Sequence, residues 1–213
     1  MYILFDTETT GLNSGKNGIL TAYFAVIKKD QVIDELELFI KCDPTKFVVE
    51  QAALDVNKIV IEEHNKTADE PEVAGKKLKE FLENASKDLP LLKSGKKEKL
   101  NPAGQFFHFD VPFIEQILPE WSTFVNRKGF DTSANGMTMY NFGFITNPSP
   151  SLGQLLDIFD IQHDKNGLHN AKTDAQQCFK VFLEMRKLRK RFENLFKEAG
   201  ITASDFITGK TRF

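Results

Sequence analysis

The amino-acid sequence predicts an α/β domain with a mixed β-sheet and helices on both faces. Three strand-like runs come first, and a short polar link between the second and third favours an antiparallel hairpin. The rest of the chain alternates helix-like and strand-like segments, which is typical of parallel pairing through crossovers. The 213 residues suit one large domain, and the sequence contains no internal repeat or linker that would divide it.

Short apolar runs rich in β-branched and aromatic residues predict the strands. These runs are Tyr2–Phe5, Ile19–Ile27, Val32–Ile40 and, later in the chain, Ala103–Phe107. The polar stretch KKDQ at 28–31 is the predicted hairpin link between the second and third strands.

Helical spacing of apolar residues predicts the helices. They are Glu50–Asn57, Glu72–Ser86, Val111–Leu118, Ser151–Phe159 and Asn170–Lys190, followed by a shorter basic helix over Phe192–Glu198. Pro71 and Ser151 suit helix starts, the latter as an N-cap. Between residues 129 and 150 the pattern is weak, although MTMYNFGF favours a helix. We therefore place the domain at 1–190 and expect 191–213 to be its helical extension.

Composition and charge narrow the function classes. Hydrophobic residues make up 41% and charged residues 27% of the chain, as in soluble globular proteins. The net charge of −2 gives no overall attraction for nucleic acid, so such a partner must be held by local basic patches and metal ions. The two cysteines form no disulfide framework or zinc motif, and Cys178 falls on a predicted buried stripe. The sequence shows no membrane-spanning stretch and no signal peptide, so we expect a soluble, cytoplasmic protein without a membrane partner.

The first predicted strand is followed at once by two acids, in the stretch FDTETTGL. Side chains two residues apart on a strand point to the same face, so Asp6 and Glu8 would lie about 7 Å apart. Two like charges at that separation repel unless a cation lies between them. The pair is therefore either an exposed strand end or part of a site for a hard metal ion.

Two further stretches place acids near the ends of predicted elements. Asp110 lies between a strand and a helix in FFHFDVPFI, where it could also serve as a helix N-cap. His169 precedes the long helix, and taken alone it could be a capping or loop histidine. Asp174 lies in that helix beside its buried stripe, where a charge needs either a metal or a lysine partner.

Taken in order, these motifs resemble the DEDDh 3′–5′ exonucleases, the DnaQ-like proofreading family of the ribonuclease-H-like superfamily. The stretches that carry the resemblance are FDTETTGL, then FD followed by VPF, then H-x-x-x-x-D opening a long helix. ALDVNKI, the DT at 131–132 and SLGQLLDIFDI support it, and it extends from about residue 1 to 185. The second motif departs from the family pattern, because Phe106 occupies a position where related sequences often have asparagine.

The resemblance implies a ribonuclease-H-like fold and a two-metal hydrolysis. Asp6, Glu8, Asp110 and Asp174 would hold two Mg²⁺ or Mn²⁺ ions, with Asp6 bridging them, and oxygen ligands favour these ions over zinc. The ions would activate the attacking water and stabilise the leaving 3′ oxygen. His169 would be the general base, since an imidazole titrates near neutrality. The expected product is a nucleoside 5′-monophosphate released from a free 3′ end.

The same resemblance implies substrate contacts and a preferred nucleic acid. The backbone of Thr9 and the side chain of Leu12 would contact the terminal nucleotide, with Leu12 as a wedge, and Asn57 would line the groove. Leu12 could equally be an ordinary buried leucine. The stretch ETTGL favours the DNA-directed branches over the oligoribonuclease branch, which tends to read EMTGL. We therefore expect single-stranded or 3′-tailed DNA as substrate, with an exoribonuclease as the alternative.

Two further alternatives stay open. The fold could be a binding module that docks on a replication protein, and any proofreading role would require a polymerase partner in trans. The lysine-rich stretch LLKSGKKEKL at 91–100 is either a solvated loop or a phosphate-binding insertion that is held near the site by the following strand.

Overall fold

A single mixed sheet organises the computed structural model, which describes residues 1–164, 169–202 and 204–205. Within these residues the sheet has five strands in the order β3-β2-β1-β4-β5. The strands are β1 (Tyr2–Thr9), β2 (Ile19–Lys28), β3 (Gln31–Phe39), β4 (Asn101–Gly104) and β5 (Phe130–Asp131). The first three pair antiparallel, whereas β4 is parallel to β1 and β5 is parallel to β4. The predicted mixed α/β sheet is thus confirmed.

Helices connect the parallel strands and complete the chain. They are α1 (Gln51–Asn57), α2 (Ile61–Thr67), α3 (Pro71–Ser86), α4 (Val111–Ile117), α5 (Trp121–Phe124), α6 (Thr132–Asn141), α7 (Leu152–Ile158) and α8 (Ala171–Glu198). Ser151 caps α7 through a capping box with Gln154, as predicted. In the part of the chain that the structure describes, no helix combines the length and the apolarity needed to cross a membrane.

The link between β2 and β3 is a two-residue turn. Lys28 pairs with Gln31, and the two residues between them, Lys29 and Asp30, have φ angles of 52° and 62°. Positive φ at both central positions is the requirement of a type I′ turn, whose twist matches that of the strands. The predicted hairpin is confirmed.

Alternation along β1 divides the core into two layers. Ile3 and Phe5 face a cluster formed with α3, α4 and α5, whereas Leu4 faces a cluster formed with α8. Side chains two apart on a strand share a face, so Asp6 and Glu8 also point to the side of α8. Cys178 is buried in the α8 cluster, as its position on the apolar stripe predicted.

Three predicted boundaries were wrong. Strand β1 continues through the acids to Thr9, because antiparallel pairing with β2 extends to that end. Strand β4 ends at Gly104, because the chain then turns and Phe106 N–H donates to Asp131 Oδ1. The separate helix over Phe192–Glu198 is instead the last part of α8, where Phe192 packs on Phe144. Helices α2 and α5 and strand β5 are too short to leave a clear periodic pattern in the sequence.

Candidate active site

Three carboxylates from distant parts of the chain meet at the carboxyl-terminal end of the central strand β1. One oxygen each of Asp6, Glu8 and Asp174 lies within 4.8 Å of the other two. Helix α8 delivers Asp174 because its first turns present Ala171 and Ala175 to the sheet, and both alanines are fully buried. These small side chains allow the helix axis to approach the strand closely, which brings the acid of the helix to those of β1.

Asp110 is held beside this group by Thr7. Its Oδ1 accepts hydrogen bonds from the backbone N–H of Thr7 at 3.0 Å and from Thr7 Oγ1 at 2.6 Å. Asp110 occupies the N-cap position of α4, as the alternative had it, but within the described residues its side chain makes no capping hydrogen bond to that helix. Asp110 is only 3% exposed, and it lies outside the three-acid group. Sequence reasoning missed Thr7, whose only signal is its position between the two acids of β1.

Burial and mutual repulsion destabilise the ionised form of the carboxylates in this site. Burial, followed by the charges of Asp110, Asp174 and Glu8, raises the pKa of Asp6 well above its ordinary value. Burial, followed by the charges of Asp174 and Asp110, raises the pKa of Glu8 to about 8. Burial raises the pKa of Asp110 to about 7 despite the hydrogen bonds from Thr7, and it also raises the pKa of Asp174. The site is therefore suited to a positively charged occupant.

His169 lies next to this group, contacts Asp174 and has a strained backbone. Its φ of 80° lies in the left-handed region, and its backbone N–H donates to Asp174 Oδ2 at 3.0 Å. The residue is exposed. Asn170, not His169, caps α8 by accepting from Thr173 N, and among the described residues no ion pair joins Asp174 to a lysine. The capping histidine and the lysine-paired aspartate, both open alternatives, were therefore wrong.

The donor atoms fit a hard divalent cation. The oxygens of Asp6, Glu8 and Asp174 are carboxylates, which Mg²⁺ and Mn²⁺ prefer. Among the described residues, Asp174 Oδ1 is buried and lacks a hydrogen-bond partner. A buried carboxylate oxygen without a partner is unfavourable, and a cation in the three-acid group would satisfy it. These three side chains are the ones that would hold such an ion.

The loop after β1 presents Leu12 to solvent. Leu12 is 80% exposed, so the alternative of a buried leucine was wrong. Asn17 holds the loop from below, because its amide donates to Val48 O at 2.9 Å and its Oδ1 accepts from Asn13 N at 2.8 Å. A large apolar side chain on a fastened loop suits the predicted wedge.

The other two predicted substrate contacts, Thr9 and Asn57, are hydrogen-bonded to each other beside this loop. Thr9 is buried, and its Oγ1 donates to the carbonyl of Gly11. Asn57 at the end of α1 donates from Nδ2 to the carbonyl of Thr9 at 3.2 Å and accepts from Ile59 N. Asn57 thus positions the backbone at Thr9, and its predicted role in lining the substrate groove stays a prediction.

The lysine-rich segment lies at the opposite edge of the sheet. Leu91 and Lys97 form an antiparallel bridge, and the strand that follows begins with Asn101 N donating to Met1 O. The acids lie at the carboxyl end of β1, roughly 13 Å further along the strand. The expectation that the segment is held near the site was wrong, because β4 is parallel to β1 and its amino end faces away from the acids.

The strand order and the acids at the carboxyl edge of β1 define the class of domain. It is a ribonuclease-H-like α/β fold in which Asp6, Glu8 and Asp174, three of the acids that the sequence resemblance indicated, lie together. No protein-family model matches the chain. Solved structures of E. coli exonuclease I share its fold. The complex with a 5cy-dT13 oligonucleotide superposes with a TM-score of 0.69 at 15% identity, over 92% of this chain and 43% of that one. The complex with dA16 gives 0.68 at 14% identity, with the same coverage.

Relatives in sequence are much longer proteins. The chain is 26% identical over 213 residues to a PolC-type DNA polymerase III of Mycoplasmopsis pulmonis. It is 26% identical over 212 residues to the PolC-type DNA polymerase III of Ureaplasma parvum serovar 3. In both cases the match covers 98% of this chain and 13% of the polymerase. These relationships confirm the predicted fold class and the DnaQ-like resemblance.

Proposed function

We propose that this protein is a metal-dependent 3′–5′ exonuclease that removes nucleoside 5′-monophosphates from DNA. The observation that carries the proposal is the meeting of Asp6, Glu8 and Asp174 around a buried, unpartnered carboxylate oxygen, with His169 exposed at the entrance. Hydrolysis of a phosphodiester at such a site needs a cation, a proton acceptor and a way to hold the strand end. The chain offers residues for each of these tasks.

Each residue has a distinct task in this reaction. Asp6, Glu8 and Asp174 would hold the cations, and Thr7 fixes the carboxylate of Asp110 beside them. Two Mg²⁺ or Mn²⁺ ions, when bound, would supply Lewis-acid activation of water and stabilisation of the leaving 3′ oxygen. His169 takes the proton of the attacking water, and its exposure leaves room for that water and for the strand.

Several features favour DNA over RNA as the substrate. Leu12, exposed on its fastened loop, would contact the terminal nucleotide of DNA and RNA alike, so the preference rests on other features. The stretch ETTGL is the form found in DNA-directed branches of the family it resembles. The sequence relatives are DNA polymerases, and solved structures with this fold are complexes of exonuclease I with DNA oligonucleotides. An exoribonuclease is the alternative within the same chemistry.

A polymerase is the proposed partner. The relatives at 26% identity are PolC-type polymerases of which this chain covers 13%, so an exonuclease segment and a polymerase occur together in that context. We propose that the chain proofreads or trims 3′ ends alongside a polymerase. Helix α8 continues past residue 190 to Glu198, whereas residues 206–213 of the predicted extension lie outside the described residues.

Digestion of 5′-labelled strands tests the function. Single-stranded DNA, 3′-tailed duplex, blunt duplex and matched RNA are each incubated with Mg²⁺, Mn²⁺, Ca²⁺ or EDTA, and products are resolved by length. We expect stepwise shortening from the 3′ end with Mg²⁺ or Mn²⁺ only, fastest on single-stranded and tailed DNA. Ca²⁺ binds with looser coordination and should not support turnover.

Two aspartate variants give the matched comparison. Asp6→Asn should abolish cleavage, whereas Asp88→Asn, at an exposed turn after α3, should leave it unchanged. More than a few per cent of activity in Asp6→Asn would contradict the metal-site assignment. Strand binding without cleavage by the wild-type protein would favour the binding-module alternative, and faster RNA digestion would favour the exoribonuclease.

A further inference from the structure

Phe106 has an unusual backbone conformation for its side chain. It lies in the turn between β4 and α4 with a φ of 53°, and it is 60% exposed. Within residues 1–164, 169–202 and 204–205, it is the one apolar residue among the non-glycine positions with positive φ. The others are Lys29, Asp30, Lys58, Asp160 and His169. Left-handed backbone is uncommon for bulky side chains, whereas asparagine and glycine accept it readily.

The surrounding contacts hold this conformation in place. Phe106 N–H donates to Asp131 Oδ1 at 3.0 Å, and the same oxygen accepts from Ser133 N at the start of α6. The preceding residue, Gln105, donates to the carbonyl of Pro150, and the following residue, Phe107, is buried. The backbone is therefore fastened on both sides, while the side chain between them stays largely in solvent.

The turn lies at the same edge of the sheet as the acids. Ala103 of β4 is opposite Leu4 of β1 in parallel register, so both strands end on the same side. Asp6 follows Leu4 by two positions and Phe106 follows Ala103 by three, so both lie beyond this paired level at the same end of the sheet. The turn that carries this exposed aromatic side chain thus lies at the end of the sheet where the acids meet.

We propose that Phe106 is a stacking platform for a base of the substrate strand near its 3′ end. The inference rests on the proposed exonuclease function and names a further substrate-binding residue of that site. Every base has an aromatic face, so a phenyl ring can bind single strands without strong sequence preference. Single exposed apolar residues are common on protein surfaces, but a strained backbone that presents one beside a reaction site calls for a functional explanation.

Binding measurements on three variants test the proposal. Anisotropy of a 5′-labelled dT oligonucleotide is recorded with Ca²⁺, which should permit binding without turnover. Phe106→Asn and Phe106→Leu should weaken binding by roughly 5- to 100-fold, the usual effect of removing one stacking ring. Phe106→Tyr should bind within about twofold of the wild type, because it keeps the ring. KM should follow the same order, with kcat at saturating substrate changed by less than about threefold, because the ring holds the strand and not the reacting atoms.

Thermal stability should change in the opposite direction to DNA affinity. Asparagine relieves the left-handed strain, so Phe106→Asn should unfold at a higher temperature than the wild type while binding DNA more weakly. A second test uses strands in which one nucleotide is abasic, at successive positions from the 3′ end. At one of these positions the wild type should bind the abasic strand as weakly as Phe106→Asn binds the intact strand. A structural role alone would lower stability and would show no such position.

Two outcomes separate this inference from the proposed function. Equal affinities of wild type, Asn and Leu variants for the oligonucleotide would overturn the stacking proposal even if cleavage is normal. So would the absence of single-strand binding by the wild type. Binding that depends on the ring, without any cleavage in Mg²⁺ or Mn²⁺, would uphold the stacking role and overturn the exonuclease function.

Discussion

In the absence of divalent cations, the free energy of unfolding of this protein should fall as the pH rises. Burial raises the pKa of Asp6, Glu8, Asp110 and Asp174, and neighbouring carboxylates add to the rise for the first three. The folded protein therefore binds protons at these groups more tightly than the unfolded chain, whose carboxyls titrate near pH 4. The resulting stabilisation is complete below about pH 4. It is lost as pH rises through the folded-state pKa values of about 7 and 8 for Asp110 and Glu8.

The contribution of Glu8 alone gives a lower bound on the magnitude of this effect. Its pKa rises from 4.5 to about 8, and each unit corresponds to about 1.4 kcal/mol of free energy. Glu8 is partly exposed, so water screens part of the effect, and we expect the free energy of unfolding to fall by about 2 to 4 kcal/mol up to pH 8.5. For a domain of this size that fall lowers the midpoint temperature by roughly 5 to 15 °C.

Urea unfolding in EDTA, followed by circular dichroism from pH 5 to 8.5, measures this fall. Added Mg²⁺ or Mn²⁺ should remove most of it, because the ion neutralises the ionised acids and binds only the folded state. Glu8→Gln should reduce the pH dependence to the part that Asp6, Asp110 and Asp174 contribute, whereas Glu62→Gln, at an exposed position of α2, should leave it unchanged. A metal-free stability that is constant or rises between pH 5 and 8.5 would refute the convergence of acids on which the site rests.

Three further predictions test the base, the packing and the lysine-rich segment. His169→Ala should lower kcat by roughly 10² to 10⁴ without changing Mg²⁺ affinity. The control His163→Ala should be normal, and equal rates for the two variants would remove His169 from the mechanism. Gly75→Ala should destabilise the fold by about 1 to 3 kcal/mol despite the better helix propensity of alanine. The reason is that a Cβ there would lie 2.0 Å from the carbonyl oxygen of Ile117; a thermal midpoint at or above that of the wild type would contradict this packing. Replacing the lysines of 91–100 with serine should leave KM for short single strands unchanged at low and high salt, and a several-fold rise at low salt would show that the segment reaches the substrate.

Local pattern was sufficient for the elements that bury a regular stripe. The hairpin of β2 and β3, the capped helix after Ser151 and the start of α8 follow from alternation, helical spacing and capping residues, all of which act between near neighbours. The order of the acids along the chain was also sufficient to indicate the class of site. Short elements such as α2 and β5 were not predicted, because two to seven residues carry too little periodicity.

Contacts between distant segments decided the rest. That Thr7 holds Asp110, that Asn57 supports the carbonyl of Thr9 and that Leu12 is exposed depend on which strands pair and which loops they bring together. No local rule specifies these contacts, because each joins residues separated by tens of positions or depends on what packs nearby.

The sequence by itself determined the α/β class, the main elements and the identities of the acids and the histidine. It did so because side-chain periodicity and chemical type are properties of the chain alone. Only the tertiary structure decided that three acids meet within 4.8 Å, that the lysine-rich segment lies at the far edge, and that Phe106 stands exposed beside the site. The physical reason is that strand direction and register, set by burial across the whole sheet, determine which ends of the elements come together.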